Sequence, residues 1–206
     1  IYTLSLHDAL PILVDAVVFN DAASNRTLYE LRSLPGVIEA EPVRSIPVIL
    51  RHGLRDHHGT IDGLISPQRL NLALDAELRP IPLRPGGVVL GQTLANTLGV
   101  RAGDVLDVEV RTGRRPRLSL PVVAVAGTVM GAPAYMDLDS LNRALREPNR
   151  VSGAWLRIDE AKASSIYRAL KRMPFIAGVR VKSDSRAAFR RSEEHTSELQ
   201  SLVDIS

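Results

Sequence analysis

The chain has 206 residues, with 26 Lys and Arg against 23 Asp and Glu, and 45% of its residues are apolar. This length and apolar content are enough to bury a core and to form one or two domains. The absence of cysteine excludes disulfide frameworks and thiolate-metal sites, and it leaves the redox compartment open.

The two ends of the chain look foreign to the rest. Residues 1–12, IYTLSLHDALPI, and residues 191–206, RSEEHTSELQSLVDIS, resemble translated sequencing-library adapters, and the alternative is that they are polar, frayed termini of the protein. Removing them takes away one basic and five acidic residues, which raises the net charge from +3 to +7. Such a balance can indicate binding to nucleic acid or to an anionic membrane surface. We expect the native sequence to run from about Leu13 to Arg190.

The native part opens with a predicted strand, helix and strand. Residues 13–19 form an apolar strand, and Ser24 or Asn25 can cap a helix that carries Leu28 and Leu31 on one face.

The second strand of this unit covers residues 37–50. It contains Pro42 and Pro47, which predict an edge strand or a bulge rather than a strand paired on both sides.

A hairpin is predicted over residues 51–65, around Gly53, Gly59 and Gly63. This segment contains five residues of the types that bind metals: His52, Asp56, His57, His58 and Asp62. A metal site needs its ligands on one face, and residues that are close together in a Gly-rich turn do not meet this requirement. We therefore expect these side chains to be solvated and to form no metal site. After the hairpin, residues 67–78 predict a short helix with leucines at spacings of four.

The pattern changes after the Arg84–Gly87 break. Residues 88–90 predict a strand, and residues 92–98 predict a helix that ends at Gly99 as a left-handed C-cap. In the next strand apolar and charged residues alternate from Leu106 to Val110, which is typical of one buried face.

An Arg-rich turn then leads into a partner strand at residues 118–129. The turn holds Arg111, Arg114, Arg115 and Arg117. No aromatic residue is interleaved to stack a base, so we expect a solvated turn and no nucleic-acid binding. Residues 118–136 carry no charge and are long enough to span a membrane, but their Pro and Gly residues favour strand and loop instead.

The closing section repeats strand, helix and strand after one further helix. Asp137 or Asp139 caps this preceding helix, which carries Leu138, Leu141 and Leu145 on one face and ends at Pro148. A strand at residues 151–158 follows, then a helix capped by Asp159 and a last strand at residues 176–181. The strand carries Trp155, which together with Tyr135 is expected to fill a core; contact with a lipidic or peptidic cargo, or with a partner protein, is the alternative.

Two segments of this sequence resemble a known family. The segment AYMDL…LNR…L followed by VSGA (residues 134–154), and VVLGQTLA…LGV..GD (residues 88–104), resemble the extracytoplasmic part of FtsX-like ABC transporter permeases of the MacB and LolC/LolE type. The resemblance implies partners: an ABC ATPase subunit acting through membrane helices outside this sequence, a second permease copy and a periplasmic protein. It also implies a place on the extracytoplasmic side of the bacterial inner membrane.

The two strand-helix-strand units predict an α+β fold of the split, ferredoxin-like type, which the porter-type half of the family's domains resembles. They occupy residues 13–85 and 131–190, and residues 86–130 would form a smaller β-rich subdomain inserted between them.

The sequence carries none of the common catalytic motifs. The sequence has no GxSxG, no phosphate loop, no HExxH and no cysteine, and Ser152 has no neighbouring histidine to activate it. We therefore expect no catalytic, cofactor-binding or metal-binding residue, and no enzymatic activity. The predicted function is to couple ATPase-driven motion to export or extraction of a lipid, lipoprotein or peptide-like substrate. The alternatives are a ligand-binding β-barrel module, suggested by the GVRAGD turn at residues 99–104, and a basic module for an anionic surface.

Overall fold

The computed structural model describes residues 12–24, 26–128 and 131–181. The two ends interpreted as adapters lie outside these ranges, apart from Ile12, whose backbone pairs with Asp159. The chain folds into nine strands and four helices over the described residues: β1 (Ile12–Ser24), α1 (Thr27–Arg32), β2 (Val37–His52), β3 (Arg55–Leu64), β4 (Val88–Gly91), α2 (Gln92–Leu98), β5 (Val105–Val110), β6 (Arg117–Ala126), β7 (Ala134–Asp137), α3 (Leu138–Ala144), β8 (Arg150–Asp159), α4 (Ala163–Arg172) and β9 (Ile176–Val181).

Four of the strands form an antiparallel sheet in the order β9-β1-β8-β2. The connections are β1-α1-β2 and β8-α4-β9, so the two strand-helix-strand units interleave as in a ferredoxin-like fold. Buried residues of α1 and α4 pack on one face of this sheet, among them Leu31, Ile166 and Leu170. The predicted α+β, porter-type fold class is confirmed.

The other strands close into a ring. Pairings run β2-β3-β7-β4-β6-β5 and return to β2, so β2 belongs both to the four-stranded sheet and to the ring. The interior of the ring is filled by apolar side chains, including Leu50, Ile61, Leu90 and Leu106. The pairings thus place residues 55–64 and 134–137 together with residues 88–126. The division of the sequence at residues 86 and 130 stays a prediction, since strand pairing alone does not define domains.

The prediction that the prolines keep β2 out of a doubly paired position is wrong. Residues 43–52 pair with β3 on one side, while residues 37–43 pair with β8 and residues 48–51 pair with β5 on the other. Pro47 accepts a hydrogen bond from the Arg111 amide just past the end of β5, and Pro42 precedes the β3 ladder. The missing amide donors therefore fall at the ends of ladders, where few bonds are lost.

Two local predictions for helices are also corrected. Residues 67–78 form no helix; they run as an irregular segment with a single bridge between Leu74 and Pro80. Helix α1 begins after Arg26 without a side-chain cap, although Ser24 Oγ lies 3.4 Å from the Arg26 amide. The predicted cap Asn25 is outside the described residues.

The caps predicted for the other helices are confirmed where the structure describes them. Asp137 accepts a hydrogen bond from the Ser140 amide at the start of α3, and Gly99 ends α2 with φ of +68°. Asp159 accepts from the Ala161 amide and opens a 3-10 turn, which leads into α4. These short polar contacts fix the points at which each helix begins or ends.

Candidate functional site at the junction of sheet and ring

Strand β2 passes from the sheet into the ring, and Arg44 lies at the point of passage. Alternate residues of a strand share a face, so Arg44 points to the same side as Ala40 and Ile46. Ala40 belongs to the apolar core under the helices, whereas Ile46 belongs to the core of the ring. Arg44 is only 3% exposed, so a guanidinium group is buried between two apolar cores.

The Arg44 side chain binds the end of α3 and the connection that follows it. Its Nη1 donates to Asn142 Oδ1 and, at 3.3 Å, to the carbonyl of Glu147, while Nη2 forms an ion pair with Glu147 Oε2. Asn142 in turn donates through Nδ2 to the Arg150 carbonyl at 3.1 Å. This network ties the first residue of β8 to the strand that enters the ring.

A second buried charge, Glu41, lies on the opposite face of β2. Its carboxylate accepts hydrogen bonds from the amides of Arg69 and Leu70 at 2.8 Å and from that of Asn71 at 3.3 Å. Glu41 is 2% exposed. The long connection between β3 and β4 is therefore anchored across the face of β2 that carries no helix.

Sequence reasoning missed both of these charged residues. The available signal was period-two alternation: Ala40, Arg44, Ile46, Val48 and Leu50 share one face of the predicted strand, and a charge on an apolar face needs a partner. The identity of the partner, almost one hundred residues away in sequence, could not be read from the pattern.

A cleft of about 520 Å³ opens beside this junction. The helix-free face of the sheet contributes Ala16, Val18 and Trp155 to its lining, and the hairpin β2-β3 contributes Ser45 and Asp62. The sheet also contributes the charged residues Asp21 and Arg180, so the cleft has a mixed apolar and polar lining.

Asp62 is a carboxyl group of the cleft with a shifted pKa. Burial raises its pKa above the usual value, and the hydrogen bond donated by the Ser45 hydroxyl opposes this effect in part. Burial also raises the pKa of Tyr135, and the nearby charge of Asp62 acts in the same direction. Both groups thus hold their protons more tightly than they would in water.

The structure separates the two aromatic residues that the sequence singled out. Tyr135 is partly buried and packs against the cluster of Leu64, Ile81 and Val89. Trp155 is half-buried and lines the cleft, and it is a member of none of the three apolar clusters. The expectation of core filling therefore describes Tyr135 better than Trp155.

The five candidate metal ligands of the hairpin are not brought together. His58 Nε2 lies 3.6 Å from Asp56 Oδ2 on the exposed surface, whereas Asp62 is hydrogen-bonded to Ser45 at the cleft. Within residues 12–24, 26–128 and 131–181, no group of three His, Cys, Asp or Glu side chains is arranged to hold a metal ion. Ser152 accepts a hydrogen bond from the Ser45 amide at 2.7 Å, which is a structural contact between β8 and β2.

The segment weighed as a membrane span folds as strands instead. Residues 117–126 form β6 and residues 134–137 form β7. Across the part of the chain that the structure describes, no helix has the length and apolar character needed to cross a membrane.

Solved structures with a similar fold include two transporter domains. The extracellular domain of the noncanonic ABC-type transporter YknZ from Gram-positive bacteria matches with a TM-score of 0.50 and 12% identity, over 83% of this chain and 99% of that one. The periplasmic region of MacB from Actinobacillus actinomycetemcomitans matches with a TM-score of 0.52 and 12% identity, over 86% of this chain and 92% of that one. The chain has the MacB-like periplasmic fold. No protein-family model matches the sequence, and no curated protein sequence does. At this identity the likeness is one of fold.

Proposed function

We propose that this chain is the extracytoplasmic domain of an ABC transporter permease subunit in the bacterial inner membrane. The observation that carries the proposal is the likeness of fold to two transporter domains over more than four fifths of this chain and more than nine tenths of theirs. The family resemblance of residues 88–104 and 134–154 in sequence points to the same class of protein.

The topology is compatible with attachment to a membrane at one end. Strands β1 and β9 are antiparallel neighbours, and Asp15 pairs with Val181 near the start of one and the end of the other. The first residues of β1 and the last residues of β9 therefore lie at the same end of the sheet. Strand β2 also begins at this end of the sheet, where Val37 pairs with Ile158, and it runs from there into the ring.

In the proposed mechanism, the domain transmits motion and performs no chemistry of its own. An ATPase subunit drives the membrane helices, the sheet moves with them, and the ring follows through β2 and the Arg44 network. A second permease copy and a periplasmic protein would complete the assembly. The substrate would be a lipid, lipoprotein or peptide-like molecule, and the domain would not be an enzyme.

The first test is the sequence of the complete gene. The proposal expects hydrophobic spans of about 20 residues on the flanks of the native segment and a gene for an ABC ATPase nearby. Flanks with no such span, and no ATPase gene, would refute it.

A second test uses the absence of cysteine from this chain. In the full transporter, a thiol crosslink between Asp21→Cys on the sheet and Thr112→Cys beside the ring should stop transport while ATP hydrolysis continues, because both residues line the cleft at the junction. The control pair Ala16→Cys and Arg180→Cys lies within the sheet, on paired strands, and its crosslink should leave transport intact. Equal transport with both crosslinks would contradict the coupling mechanism.

The ligand-binding alternative is tested separately. The ring's interior is occupied by its own apolar side chains, so a ligand would have to bind outside it. A thermal-shift screen of the chain against nucleotides would favour this alternative only if a nucleotide raised the melting temperature.

A further inference from the structure

A second cavity, of about 350 Å³, adjoins the cleft and shares Asp21, Arg44 and Thr112 with its lining. Asp21 and Ala22 of β1 line it from the sheet, and Thr112, Gly113, Arg114 and Pro116 line it from the ring. The connection of α3 to β8 closes a third side. A molecule bound here would therefore touch both parts of the fold.

Three arginines line this cavity: Arg44, Arg114 and Arg150. Two acidic residues, Asp21 and Glu147, line it as well. The Glu147 charge is already matched by its ion pair with Arg44, so two Arg side chains remain against one Asp. The cavity therefore carries a net positive charge.

The donors of these arginines are only partly used. Arg150 Nη1 donates to the Ala22 carbonyl at 2.8 Å, which leaves its other N–H groups available. Arg114 makes no hydrogen bond or ion pair through its side chain within the described part of the chain. Arg44 Nε is buried and has no hydrogen-bond partner among the same residues.

We propose that this cavity binds a phosphate group, held by Arg114 and Arg150. Guanidinium forks match the oxygen geometry of a phosphate and bind it through paired, charge-assisted hydrogen bonds. The inference uses only the geometry of the cavity and does not rest on the proposed transport function.

Two sources can supply this group, a soluble phosphate ester or the headgroup of an anionic phospholipid. Calorimetric titration of the 206-residue chain with inorganic phosphate and with glycerol 3-phosphate, at constant ionic strength, tests the first source. Sedimentation with vesicles of phosphatidylglycerol, compared with vesicles of phosphatidylcholine, tests the second. Binding in either arm supports the site only if it depends on the cavity arginines.

Three variants decide this dependence. Arg114→Gln should weaken binding about tenfold or more, because a charge-assisted hydrogen bond is lost. The matched control is Arg115→Gln, in the same connection and with the same change of charge, but outside the lining; it should change binding less than about twofold. Asp21→Asn should strengthen binding, because it removes the carboxylate that competes with the anion.

The opposite signs of these effects separate a site from a general loss of stability or of surface charge. Arg114 is exposed, so its variant should retain the wild-type melting curve by circular dichroism. No binding in either arm, equal weakening by Arg114→Gln and Arg115→Gln, or weaker binding by Asp21→Asn would each overturn the proposal.

Discussion

Replacement of Glu147 by alanine should destabilise the protein more than replacement of its partner Arg44 by methionine. The reason is the unequal burial of the pair: the Arg44 side chain is 4% exposed and that of Glu147 is 32% exposed. In Glu147→Ala the guanidinium stays between the two cores without its counter-charge, which costs about 3 kcal/mol. This is the low end of the usual range, because the partner is partly in contact with water.

Arg44→Met removes the buried charge itself. The methionine side chain can occupy the space between Ala40 and Ile46, and Glu147 regains contact with water. The main loss is the donor to Asn142 Oδ1, which costs about 1 kcal/mol. The double variant Arg44→Met/Glu147→Ala should therefore resemble Arg44→Met alone, since no charge is left to be stranded.

Equilibrium unfolding in urea of the wild type, the two single variants and the double variant measures these differences. The argument would be refuted if Arg44→Met cost as much as Glu147→Ala, or if the double variant lost the sum of the two single losses.

Three further predictions concern the same region. Glu41→Gln should cost about 2 kcal/mol and speed amide exchange at residues 69–71, because a charged acceptor of three amides is lost; unchanged exchange there would contradict the anchoring role. Burial raises the pKa of Asp62 above its usual value of 3.8, so the folded protein binds the Asp62 proton more tightly than the unfolded chain does. The stability of the wild type therefore falls as the pH rises above 3.8 and Asp62 ionises. Asp62→Asn should therefore gain free energy of unfolding relative to wild type as the pH rises from about 3 to about 7, and a difference independent of pH would count against this. Leu141→Ala should lower the free energy of unfolding by about 3 kcal/mol, because Leu141 is fully buried in the core of the ring. Trp155→Ala should lower it by less, because Trp155 is half-buried at the cleft. Urea unfolding of both variants measures the two losses, and a greater loss for Trp155→Ala would contradict this order.

Local sequence patterns determined most of the elements of this fold. Period-two alternation placed β5, the leucine spacing and the polar caps placed α2 and α3, and the repeated strand-helix-strand order gave the ferredoxin-like class. These features depend on neighbours in sequence, so no tertiary contact was needed to predict them. The prediction of a short helix at residues 67–78 was wrong. The amides of Arg69 and Leu70 donate to the Glu41 carboxylate of β2, and this tertiary contact holds the segment in an irregular conformation despite its leucine spacing.

Tertiary structure alone decided how β2 is used and where the candidate site lies. The prolines of β2 suggested an edge, yet the strand is paired on both sides because its partners change along its length and each missing amide falls at the end of a ladder. The hydrogen bonds of Arg44 and the proposed phosphate-binding cavity likewise join residues from β1, β2, the β5-β6 connection and α3. The sequence places Arg44 on an apolar face of β2, where a buried charge needs a partner. Only the packing of the ring against the sheet, which brings Glu147 to Arg44, determines that Glu147 is this partner.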